Sequence, residues 1–152
     1  ICSKETKEKL ERGLMLFYTN STRPSSSILT EQKNNINKKI EVLNKMREQS
    51  ERISHTLSNG DLNTFGKILH EGWLLKKKLA KNITNSQVDH YYDIAIKAGA
   101  VGGKLLGAGN GGFLMFYCPI EKQDQVRKAL SELREVNIEL EPQGTKIIHI
   151  GD

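Results

Sequence analysis

Gly99-Ala-Val-Gly-Gly-Lys-Leu-Leu-Gly-Ala-Gly-Asn-Gly-Gly112 is the stretch on which the reading of this chain turns. Six of the eleven residues from Gly102 to Gly112 are glycine. Glycine loses more backbone entropy on folding than any other residue, so such density inside a folded chain has a cause. Turns that need positive φ are one cause, and close approach of a ligand or a second backbone segment is another. Consecutive amides without side chains can also cradle phosphate oxygens. The stretch is not a Walker A loop, because no Gly-Lys-Ser/Thr follows four residues after a first glycine. Gly107-Ala108-Gly109 with Gly112 formally matches G-x-G-x-x-G, but that fingerprint needs a strand before it and a helix after it. Here a helix precedes and a strand follows. A phosphate loop and a tight helix-to-strand connection both stay open on these grounds.

The segments on either side supply the frame. Val88, Tyr92, Ala95 and Ala98 share one helical face, Ser86 with Asp89 resembles a capping box, and Gly99 stands where a helix ends. Phe113 to Cys118 reads as a strand. Pro119 opens a helix with Val126, Leu130 and Leu133 on one face. Asn137 to Glu141 and Lys146 to Ile150 are expected as two short antiparallel strands about the turn Pro142-Gln143-Gly144.

Nearer the start, Leu14 to Tyr18 reads as a buried strand, followed by a polar loop from Thr19 to Ser27. A long helix from about Thr30 carries Ile36, Ile40, Leu43, Met46, Ile53 and Leu57, with one break in the stripe near Ser50. Asn59-Gly60 stops it, and Asp61 caps a second helix carrying Leu62, Phe65, Ile68, Leu69, Leu75 and Leu79. Strand, three helices, strand, helix, strand, strand predicts an α+β fold. Its core is a four-stranded, mainly antiparallel sheet with helices packed on one face. No repeat or linker divides the chain, so residues 1–152 read as one domain.

Composition narrows the partners. The net charge of +5 favours anionic ligands, but acidic residues are interspersed and Lys76 to Lys78 is the longest basic run. Cys2 and Cys118 have neither metal-ligand spacing nor a disulfide framework, which fits a reducing cytoplasm. His55, His70, His90 and His149 do not cluster, so no metal site is expected. No apolar stretch approaches membrane-spanning length, and there is no signal peptide. The chain opens on Ile1 rather than Met, so further sequence is expected upstream.

Residues Gly99 to Leu114 resemble the third conserved motif of the GHMP kinases, the superfamily of galactokinase, homoserine kinase and mevalonate kinase. Leu16-Phe-Tyr-Thr-Asn-Ser-Thr-Arg23 and Gly72-Trp-Leu-Leu-Lys-Lys-Lys-Leu79 are similar to segments of sugar kinases acting on D-glycero-D-manno-heptose 7-phosphate, and of related fucokinases. The resemblance implies a ferredoxin-like C-terminal domain. It implies that ATP and Mg²⁺ are held mainly by an N-terminal domain this chain lacks, which makes that domain a partner beside a sugar phosphate. It places Gly102, Gly103, Lys104, Gly107, Ala108, Gly109, Asn110, Gly111 and Gly112 near the nucleotide's phosphates. Asn110 stands where the family often has Gly, and Asn tolerates left-handed backbone. No catalytic base or metal ligand is carried over, because the family's lie in the N-terminal half. This chain alone is expected to transfer no phosphoryl group.

Three local readings accompany this one. Arg23 is a natural bidentate partner for phosphate, so Thr22, Arg23, Ser25, Ser26 and Ser27 are candidate substrate contacts; the alternative is a solvated loop whose serines cap the next helix. Lys104 can meet a phosphate, pair with a carboxylate or face water. Trp73 reads as core or domain-interface packing ahead of sugar stacking. A rival function is a non-catalytic regulatory or nucleic-acid-binding module. An RNA platform needs exposed aromatics on two strands, for which Phe113, Phe116 and Tyr117 are the candidates.

Overall fold

A computed structural model of the chain describes residues 2–21, 26–141 and 144–145. Its first element has no counterpart in the sequence reading. The Ser3 hydroxyl accepts the Thr6 amide at 3.0 Å and caps α1 (Lys4–Gly13). Leu10 is the only large apolar residue in α1, so it carries no stripe to recognise. Lys4 with Glu8 and Glu5 with Lys9 are ion-paired one turn apart instead.

The sheet is built from β1 (Leu14–Tyr18), β2 (Gly102–Leu105), β3 (Phe113–Tyr117) and β4 (Arg134–Val136). The strand order is β2-β3-β1-β4, and every neighbouring pair is antiparallel. β1 and β2 therefore flank β3 in the same direction, as β3 and β4 flank β1. That is the split βαβ arrangement of ferredoxin-like folds. The α+β class is as expected, but two strands are not where the sequence put them. Gly102 to Leu105, read as part of a loop, forms an edge strand. The last described strand is Arg134–Val136, and Asn137 to Glu141 is not a strand. Pro142, Gln143 and Lys146 to Ile150 lie outside the described residues.

The glycines at the start of β2 answer to packing. A Cβ on Gly102 would strike the Gly66 carbonyl, and one on Gly103 would strike the Met115 carbonyl and the Phe116 ring. A strand with two leading glycines scores poorly on propensity, which explains the miss.

The helices depart from expectation in detail. The predicted long helix is two: α2 (Ser26–Asn35) and α3 (Ile40–Ser58), separated by a single 3₁₀ turn at Asn37–Lys39. Asn side chains compete with helical hydrogen bonding, and Asn35 Nδ2 donates to the Leu79 carbonyl at 3.2 Å. α3 passes Ser50 without interruption. Asp61 caps α4 (Leu62–Lys76) as predicted, its carboxylate accepting the Thr64 amide at 3.0 Å. Asn85, rather than Ser86, caps α5 (Ser86–Lys97) by accepting the Val88 amide at 2.9 Å. Pro119 opens α6 (Ile120–Ala129).

Met15, Phe17, Leu105, Leu114 and Phe116 share one face of the sheet. They pack against Trp73, Ile83, Val88, Tyr92, Ala95 and Val126 from the helical layer. The valine, leucine, isoleucine, methionine and phenylalanine side chains among them each contribute about 1.5–3 kcal/mol on burial. A second cluster joins Tyr117 to Leu62 and Phe65 at the other face. There the Tyr117 ring is edged by two glycines. A Cβ on Gly13 would come within 2.5 Å of one ring edge, and one on Gly66 within 2.8 Å of the other. The rest of that face, Leu16, Tyr18, Phe113 and Met115, is half-buried. Phe116 and Tyr117 are buried, which removes two of the three aromatics an RNA platform would need. No described helix is long and apolar enough to cross a membrane.

Candidate functional site

β2 and β3 are joined by a loop over residues 106–112, closed at its neck by Leu106 N–H donating to the Phe113 carbonyl at 2.8 Å. Within it Gly107, Gly109, Asn110, Gly111 and Gly112 all have positive φ, of 79°, 135°, 63°, 147° and 107°. Only glycine takes the larger values at little cost, and Asn takes the left-handed one. Asn110 is the one residue with a side chain among these positive-φ positions.

Two segments grip this loop. On one side the Asn110 amide donates to the Ile83 carbonyl at 2.8 Å, and Asn85 Nδ2 donates to Asn110 Oδ1 at 2.8 Å. On the other, the Gly112 amide reaches the Ser21 carbonyl at 2.7 Å and Thr19 Oγ1 at 3.0 Å. The Thr19 amide returns to the Gly112 carbonyl at 2.9 Å. A Cβ on Gly109 would lie 2.7 Å from the Ile83 carbonyl oxygen, and one on Gly111 would lie 2.6 Å from that of Ser21. Close approach of other backbone therefore accounts for those two glycines. Thr19, Ile83 and Asn85 do not stand out in the sequence as site residues. Their role depends on contacts between segments far apart in the chain.

The grip uses some amides and leaves others. Among the described residues, those of Gly107, Ala108, Gly109 and Gly111 donate to no protein acceptor. A curled run of such N–H groups makes an anion-binding concavity. Gly102, Gly103 and Lys104, grouped with the loop by the sequence, stand in β2 instead. Ser26 and Ser27 are exposed at the start of α2, while Thr22, Arg23 and Ser25 lie outside the described residues.

Lys76, at the end of α4, reaches the base of the loop. Its Nζ donates to the Gly107 carbonyl at 2.5 Å and to that of Leu105 at 3.4 Å. Burial, reinforced by the charge of Lys104, pulls its pKa down to about 8. Lys76 and Lys104 line one cavity of about 170 Å³, together with Met46, Gln49, Ile53 and Trp73. Among the described residues neither lysine has a carboxylate within ion-pairing distance. Trp73 is 1% exposed, in keeping with core packing, and its indole N–H has no acceptor among the described residues. Behind it, Tyr92 Oη donates to the Gly103 carbonyl at 3.2 Å and accepts from His70 Nδ1 at 2.8 Å.

Glu71 is bound by Arg52 at 2.7 Å, and that contact holds its carboxyl below the usual range. No group of three or more His, Cys, Asp or Glu among the described residues could hold a metal ion. Both cysteines are free thiols, and burial pushes that of Cys118 up to about 11, so it stays protonated at neutral pH.

Comparison with known proteins agrees with this geometry. The family model described as GHMP kinases C terminal matches residues 40–139. A D-glycero-alpha-D-manno-heptose 7-phosphate kinase from Campylobacter jejuni subsp. jejuni serotype O:2 is 31% identical over 124 residues, covering 80% of this chain. The chain spans only 37% of that relative's length. Mevalonate kinase from Methanococcus jannaschii superposes with a TM-score of 0.67 at 25% identity, over 89% of this chain and 42% of that one. A D-glycero-D-manno-heptose 1-phosphate kinase from Bacteriodes thetaiotaomicron shares the fold, with a TM-score of 0.59 at 24% identity over 90% and 35% of the two chains. On the family-model match over most of its length and the identity to the Campylobacter jejuni relative, the chain belongs to the GHMP kinases and matches their C-terminal part.

Proposed function

We propose that this chain is the C-terminal half of an ATP-dependent sugar-phosphate kinase acting on D-glycero-D-manno-heptose 7-phosphate. The observation that carries the reading is the glycine loop. Its shape is fixed from both sides, yet it presents the amides of Gly107, Ala108, Gly109 and Gly111 without an internal partner. Phosphoryl transfer depends chiefly on positioning and on neutralising charge on the phosphoryl oxygens. A preorganised set of N–H donors does both, and does not have to reorganise as the reaction proceeds. The substrate class is supported by the likeness to the Campylobacter jejuni kinase.

The described residues supply donors that suit a phosphate group, and no cluster of metal ligands lies among them. In this reading an N-terminal domain holds Mg²⁺ and the bulk of the nucleotide. Thr22, Arg23 and Ser25 to Ser27 remain the proposed contacts to the sugar, on the chemistry of their side chains.

The test is a coupled kinase assay on the upstream-extended protein with ATP and Mg²⁺, against heptose 7-phosphate, fucose, galactose and mevalonate. Turnover confined to heptose 7-phosphate, with none from the 152-residue chain alone, is the expected result. Turnover of a different panel member would discard the substrate, and turnover of none would discard the activity.

A further inference from the structure

We infer that Lys76 and Lys104 form an anion subsite beneath the glycine loop, built to take a phosphate group carried by a small molecule. Lys76 comes from the end of α4 and Lys104 from the middle of β2, and both line the cavity between α3, α4 and the sheet. Two like charges in one cavity repel, and folded proteins ordinarily bring a carboxylate to such a pair. Among the described residues none approaches either ammonium within 4.0 Å.

The donor count points the same way. An ammonium has three N–H groups. Lys76 spends two on the carbonyls of Leu105 and Gly107, which fixes the position of its Nζ and leaves one donor. Lys104 has no protein acceptor among the described residues, so its three are unclaimed. Unspent donors on two cationic groups call for a multiply charged oxyanion. The depressed pKa of Lys76 is consistent with a site that lacks its counter-charge, because a bound anion favours the charged form.

This subsite is distinct from the loop's amides. Lys76 meets the carbonyl of Gly107, so it stands on the acceptor side of the loop entry. Its ligand class rests on the phosphate-handling reading above, but binding is measured without turnover. A failed kinase assay and a failed titration are therefore separate results.

The test is titration of the chain with inorganic pyrophosphate at constant ionic strength, followed by the fluorescence of Trp73, the only tryptophan. A saturable change is expected, weakened about tenfold or more in Lys104→Met and in Lys76→Met. Lys128→Met, at an exposed position on α6, should leave it unchanged. Lys104→Met is the deciding variant, since Lys104 holds no other element in place, whereas Lys76 also ties α4 to the loop. A non-saturable signal, or the wild-type affinity in Lys104→Met, would overturn the proposal. Competition then separates the sources. Displacement by glucose 6-phosphate but not ADP identifies the substrate's own phosphate, and the reverse identifies the nucleotide. Displacement by neither would refute a small-molecule phosphate as the ligand.

Discussion

At the residue scale, the glycines of the loop separate into those set by conformation and those set by neighbours. Gly107 and Gly109 both have positive φ, but a Cβ on Gly107 meets nothing within 4 Å, whereas one on Gly109 strikes Ile83. Gly107→Ala should therefore cost only the left-handed backbone, about 1 kcal/mol. Gly109→Ala should cost about 3 kcal/mol, because the clash adds to a conformation that is nearly glycine-only. Thermal unfolding of the two variants checks this, and equal losses would show that the Ile83 contact does not shape the loop. The glycine density itself was legible in the sequence. Its division was not: Gly102 and Gly103 answer to α4 and β3, Gly109 and Gly111 to two other segments, and only the folded chain shows which.

At the scale of elements, a single phenol links three of them. Tyr92 on α5 donates to Gly103 on β2 and accepts from His70 on α4. Burial pushes its pKa well above the usual phenol value, so it stays a donor across the working range. Tyr92→Phe keeps the ring but strands the Gly103 carbonyl, and should cost about 1–2 kcal/mol. In urea unfolding the midpoint should fall with an unchanged slope; a changed slope would mean that the elements had come apart.

What was readable at this scale follows from periodicity. β1, β3, α4, α5 and α6 carry regular apolar patterns and were found. α1 has charge pairs in place of a stripe, and β2 begins with the residue least suited to strands. The α2–α3 break turns on Asn35 reaching Leu79, a contact between residues 44 apart in sequence. The helix cap at Asn85 was displaced by one residue, within the ordinary uncertainty of helix boundaries.

At the scale of the whole molecule, Lys76 links stability to pH. Its folded pKa is about 8 against an ordinary value of 10.5. The folded state thus binds this proton less readily than the unfolded state. The resulting destabilisation is fully present below about pH 8 and is relieved as pH rises toward 10.5. Solvent reaches part of the side chain and screens this cost to about 1–2 kcal/mol, and the hydrogen bonds lost in a variant offset a part of it. Lys76→Met should therefore raise stability at pH 7 by at most about 1 kcal/mol, and the gain should shrink toward pH 10. Cys118 and Tyr92, whose pKa values are raised, act in the opposite direction at high pH, so the difference between variant and parent is the quantity to measure. A gain that does not vary with pH would exclude the ammonium as its source. The expected variant is more stable yet poorer at holding an anion, as befits a site that favours ligand over fold.

Tyr117 acts as a spacer between three elements. Its ring lies against Gly13, at the end of α1, and against Gly66, inside α4, and a methyl group at either position would collide with it. The gap that separates both helices from this side of the sheet is therefore one phenol wide, and only positions without a side chain fit it.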